Sequence, residues 1–112
     1  MSRFVFIYHA PMSPADATPP TDEQTAAVMG EWMEWAAKVG GDMVDFGTPL
    51  AEGVRVSSDG STAPSTREVS GYTIIEAEDM DAALALAKVH PHLKMPGGCE
   101  IEVHAAQAVP GM

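Results

Sequence analysis

Between Arg3 and His9 the chain runs Phe-Val-Phe-Ile-Tyr, five apolar residues in a row with no breaker. Aromatic and β-branched side chains suit a strand, and successive side chains point to opposite faces. Phe4, Phe6 and Tyr8 therefore share one face, and Val5 and Ile7 share the other. A strand that is apolar on both faces belongs inside a sheet covered from two sides. Whatever this chain folds into has to supply both covers.

Two amphipathic helices are written downstream. Thr21 followed three residues later by Gln24 is a capping box, and Asp22 and Glu23 complement the positive end of the helix dipole. Met29, Trp32, Ala36 and Val39 recur at helical spacing, with Glu31, Glu34 and Lys38 turned outward, until Gly40-Gly41 ends the run. Asp79 is the N-cap expected for a second helix from Met80 to about Val89, with Met80, Ala83, Leu84 and Ala87 on one face. Pro91 stops it, because the residue before a proline avoids helical geometry.

Strands are expected between and after the helices. Residues 43–47 and the stretch Gly-Tyr-Thr-Ile-Ile-Glu-Ala at 71–77 read as two of them. Between these, Val-Arg-Val-Ser-Ser at 54–58 and the Asp59-Gly60 turn predict an irregular hairpin. After the Gly97-Gly98 turn the run 99–106 alternates, with Cys99, Ile101 and Val103 on one face and Glu100, Glu102 and His104 on the other. Cys99 is expected to be a small buried hydrophobe. Prolines at 11, 14, 19 and 20 make the segment 10–20 a loop, and 106–112 reads as a short tail.

The order β-α-β-hairpin-β-α-β predicts a single α+β domain over residues 1–112 with a ferredoxin-like βαββαβ plan. Right-handed crossovers place both helices on one face of an antiparallel sheet. The other face then leaves one of the two apolar sides of the first strand, Val5 and Ile7 or Phe4, Phe6 and Tyr8, open to water in a monomer, so a homodimer is expected.

Composition narrows the function classes. Sixteen acidic against six basic residues give a net charge of -10 and a pI near 4.5. Such a surface repels nucleic acid and anionic lipid, and the bases form no stripe. No stretch approaches the ~20 apolar residues of a membrane span, and the start of the chain lacks the pattern of a signal peptide. A cytoplasmic location with neither a nucleic-acid nor a membrane partner is expected. The single cysteine excludes an intrachain disulfide.

Four histidines stand out among the acids. Imidazole moves protons near neutral pH, so His90 at a pocket mouth and His9 at the end of the first strand are the catalytic candidates. His90 and His92 flank Pro91 and could together hold a metal with His9 or Glu102, although HxH spacing alone is weak. The third reading is structural, with His90 bonding helix carbonyls and His92 in a solvated turn, and makes the chain a non-catalytic dimeric interaction or sensor module. No metal and no cofactor are assigned. Trp32 and Tyr72, with His92, are the candidate substrate-binding residues, aromatic walls of a small-molecule pocket between helices and sheet. Met95-Pro-Gly-Gly98 matches no nucleotide-binding loop, and no serine-hydrolase motif is present.

The stretch GYTIIEAEDMDAALALAKVHPHLKMPGGCEIEVH (71–104), with Thr66-Arg67-Glu68 before Gly71-Tyr72, resembles the YCII-related (DGPF) family over roughly residues 3–105. The resemblance implies a ferredoxin-like fold that dimerises as a dimeric α+β barrel. It also implies a small-molecule role, with a dehydrochlorinase-like lyase branch among the possibilities. Two features depart from the pattern. Gly60-Ser61-Thr62-Ala63 stands where the Asp-Gly-Pro-Phe box would be. No histidine lies between His9 and His90, so the helix-one histidine paired with an Asp-Pro step in one branch has no counterpart here.

Overall fold

The computed structural model describes residues 1–11, 21–95 and 98–111. Most of the proline-rich segment and two residues of the 95–98 turn lie outside these. Six strands and two helices follow one another as β1 (Ser2–His9), α1 (Asp22–Val39), β2 (Met43–Asp45), β3 (Val54–Val56), β4 (Thr62–Pro64), β5 (Val69–Ala77), α2 (Met80–Lys88) and β6 (Glu100–Ala105). Short 3-10 turns occupy Gly40–Asp42 and Pro91–Lys94.

The main sheet has the strand order β2-β5-β1-β6 with every pairing antiparallel. This α+β arrangement is compatible with a ferredoxin-like fold. β1 is central, as its two apolar faces require. It aligns Phe4 with Ile75 and Ala105, Phe6 with Thr73 and Val103, and Tyr8 with Gly71 and Ile101. β3 and β4 form a separate two-stranded hairpin around the expected Asp59-Gly60 turn. Its Val54 and Val56 are largely exposed.

Phe4, Phe6, Tyr8 and Ile75 form one buried cluster with Trp35 and Val39 of α1 and Ala83 and Ala87 of α2. Both helices thus cover the same face of the sheet. The Thr21 capping box is made in both directions: the Thr21 amide donates to Gln24 Oε1 at 2.9 Å, and the Gln24 amide donates to Thr21 Oγ1 at 3.1 Å. Asp79 caps α2 by accepting from the Ala82 amide. Trp35 anchors α1 twice over. Its ring is buried against Phe6, and its indole N–H donates to the Leu86 carbonyl of α2 at 2.9 Å.

Several details differ from the expectation for physical reasons. The buried line of α1 runs through Trp35 and Val39, while Met29 is 47% exposed and lines a cleft instead of the core. In α2 it is Leu86 rather than Leu84 that packs on the core. β2 ends at Asp45, two residues early, because Asp45 turns its Oδ1 onto the Gly47 amide and closes a tight turn. Cys99 is only half-buried and precedes β6 instead of lying within it.

On the second face of the sheet Val5 stands opposite Ile74, and Ile7 opposite Tyr72, with Arg3 and Glu76 in an exposed ion pair at 3.6 Å. Neither α1 nor α2 covers these residues. The shortest dimension of the molecule is 19 Å, one sheet plus one helix layer.

Candidate functional site

A cleft of about 320 Å³ opens between the first half of α1 and the ends of β1, β2 and β5. Val28, Met29 and Trp32 line it from α1, Phe46, Gly47 and Pro49 from the segment after β2, and His92 and Met95 from the 3-10 turn after α2. Tyr8, Ser70, Gly71 and Tyr72 line it from the sheet. Two glycines shape it. Gly47 has φ +83°, and a Cβ there would lie 1.7 Å from the Tyr72 carbonyl oxygen. At Gly71 a Cβ would come within 3.3 Å of both the Thr48 carbonyl oxygen and the Tyr8 ring.

Behind the cleft runs a buried polar chain. The His92 amide N–H donates to His90 Nδ1 at 2.9 Å. An amide only donates, so Nδ1 is the acceptor and Nε2 carries the ring proton of a neutral imidazole. Nε2–H lies 3.1 Å from the Tyr8 hydroxyl, which donates to Thr73 Oγ1 at 2.6 Å. Thr73 Oγ1 in turn donates to the Phe46 carbonyl at 2.8 Å. A fixed donor at one end and a fixed acceptor at the other set the direction of every bond between them. Burial pulls the His90 imidazole down to about 3, helped by the neighbouring His92, and pushes the Tyr8 phenol up to about 12 against the lowering effect of its Thr73 bond. Both groups are neutral at pH 7.

The sequence candidates therefore fall in different places. Trp32, Tyr72 and His92 all line the cleft. His92 is buried, not in a solvated turn, and its Nε2–H donates to the His9 carbonyl at 2.9 Å. His90 is 1% exposed and sits behind the cleft wall, not at its mouth. Its ring caps the following 3-10 turn and does not bond carbonyls of α2. It packs on Trp35 at 4.2 Å and edge-on to Trp32 at 4.4 Å between centroids. With both ring nitrogens bonded, His90 has no lone pair to offer a substrate in this arrangement.

His9 lies on the other face of the sheet, away from His90. Its Nδ1–H donates to the Arg67 carbonyl at 2.7 Å, and Nε2 faces Glu102 at 3.5 Å without making a hydrogen bond. Glu102 instead accepts from His104 Nε2 at 3.0 Å, and that bond holds its carboxyl below the usual carboxylate range. The two histidines named as proton carriers are thus not brought together. Among the described residues no group of three His, Cys, Asp or Glu side chains is placed to hold a metal ion.

Tyr72 donates its hydroxyl to Asp45 Oδ2 at 3.1 Å, and the bond and charge of that carboxylate raise its phenol. Tyr8, Thr73, Phe46 and Gly47 were not singled out from the sequence. Alternation groups Tyr8 with Phe4 and Phe6, but which side the helices cover and the meeting of Tyr8 with Thr73 depend on packing and on the β1–β5 register, which no local pattern specifies. Among the described residues no helix is long and apolar enough to cross a membrane. No family model matches the chain, and no curated protein matches it.

Proposed function

We propose that this protein is a dimeric α+β domain of the YCII-related kind that binds a small molecule in the cleft between α1 and the sheet. The observation that carries the reading is the cleft itself. Its 320 Å³ is walled mainly by apolar and aromatic side chains, and the polar groups behind it are already satisfied. Sites for small ligands have this character. The walls are also held rigidly, since Trp32 meets Tyr8, His90 and Phe46 at centroid distances of 5.0, 4.4 and 6.1 Å. A lyase-type elimination, implied by the resemblance alone, would draw on His92, the one histidine among the described residues on the cleft wall. The engaged state of His90 favours binding without catalysis as the second reading.

Occupancy is expected to change the emission of Trp32. A fluorescence titration with small aromatic compounds should show saturable quenching, and Trp32→Phe should remove most of it while buried Trp35 still reports an intact fold. Saturable quenching that survives unchanged in Trp32→Phe would place the ligand elsewhere.

The dimer rests on the sheet face that carries Val5, Ile7 and Ile74 with no helix over it. A second copy laid across this face removes the apolar stripe from water, and sheets stack at about 10 Å. Light scattering coupled to size exclusion at micromolar concentration should return twice the chain mass. Ile7→Asp should return the monomer, because the interface would have to desolvate a new carboxylate directly opposite Glu102. A wild-type monomer under those conditions refutes the assembly.

A further inference from the structure

Resting on the reading of the cleft as a ligand site, we infer that its ligand is an uncharged, flat, bicyclic aromatic molecule and that carboxylates and phosphates are excluded. Size is the first argument. An apolar cavity of ~150 Å³ accepts benzene, so a cleft of 320 Å³ accommodates about two fused rings. The walls are the second. Trp32 and Phe46 offer ring surfaces, and Met29 and Met95 offer thioethers, which pack well against aromatic edges.

Charge is the third argument and decides the class. None of the described residues lining the cleft is Lys, Arg, Asp or Glu. The six bases lie elsewhere in a chain of net charge -10. An anion in the cleft would lose hydration with no cation to replace it. Four of the five polar side chains at the wall already donate a hydrogen bond within the protein, the exposed Thr48 hydroxyl being the fifth. Tyr8 donates to Thr73, Ser70 Oγ to the Tyr8 carbonyl, His92 Nε2 to the His9 carbonyl and Tyr72 to Asp45. A ligand rich in hydrogen-bonding groups would leave them unmatched.

Isothermal titration at pH 7 with 2-naphthol and 2-naphthoate separates the possibilities, because the two differ mainly in charge. The intact protein should bind 2-naphthol at least about tenfold more tightly than 2-naphthoate. Val28→Arg places a cation on the cleft wall at a helix position that is already 38% exposed, where arginine is a good helix former. In that variant 2-naphthoate should gain about tenfold relative to 2-naphthol. Equal binding of both compounds by the intact protein overturns the charge class and leaves the ligand site standing. Failure of 2-naphthoate to gain in Val28→Arg also overturns it, since wall charge would then not set the preference. Binding of neither compound removes the ligand-site reading itself, and this inference with it.

Discussion

Replacing Gly47 by alanine is expected to unfold the protein or lower its melting temperature by at least ~15 °C. The added Cβ would lie 1.7 Å from the Tyr72 carbonyl oxygen and 2.7 Å from the carbonyl carbon. These are backbone atoms of the second most central strand, so no side chain can swing aside. Relief requires β5 and the turn after β2 to separate by more than an ångström, which strains the Tyr72–Asp45 and Thr73–Phe46 bonds that join them. The φ of +83° adds a conformational cost of about 1 kcal/mol for any residue with a Cβ. Together these put the substitution among the rare ones exceeding ~4 kcal/mol, and each kcal/mol moves the melting point of a domain this size by about 4 °C or more. Gly60→Ala separates the two causes. It has φ +87° with nothing within 4 Å, so it carries the conformational cost alone. Thermal melts followed by circular dichroism should show a far larger loss at Gly47, and equal losses would mean the close approach is unimportant.

Acid should destabilise this fold through one buried ring. In the unfolded chain His90 titrates near 6.5, whereas in the fold burial and the neighbouring His92 hold it at about 3. The unfolded state therefore takes up a proton below pH 6.5 that the folded state refuses until about pH 3. Stability from this group is complete above pH 6.5 and is lost progressively as pH falls between those values. At about 1.4 kcal/mol per unit the whole window is worth of order 5 kcal/mol, and roughly half of it is gone by pH 4.5. The unfolding carboxylate Glu102, held low by His104, adds loss in the same direction. Urea unfolding at pH 7 and pH 4.5 measures the difference. His90→Gln can still accept from the His92 amide and donate to Tyr8 but cannot charge, so its stability should change much less between the two pH values. A variant as acid-sensitive as the parent would exonerate His90.

The same ring shows how far the sequence carried. Its spacing from His92 and its place just after the end of α2 were legible, and so was its candidacy for chemistry. Its burial was not, because nothing local announces that Tyr8, 82 residues earlier, lies 3.1 Å from Nε2. The side of the sheet that His9 faces was hidden for the same reason. At the end of β1 it could face either side, and the one-residue alternation that puts Tyr8 against the helices sends His9 to the far face, where Arg67 holds it.

The elements themselves needed no tertiary information. Thr21, Gln24, Asp79, Gly40 and Pro91 act within a few residues of themselves, so the starts and ends of both helices follow from short-range hydrogen bonds and steric limits. The two apolar faces of β1 likewise dictated a central strand and an α+β layer. The cleft, the direction of the His90–Tyr8–Thr73 chain and the separation of His9 from His90 were decided only by the fold. Each depends on strand register and on contacts between residues far apart in the chain, and those are set by the packing of the whole core rather than by any stretch of it.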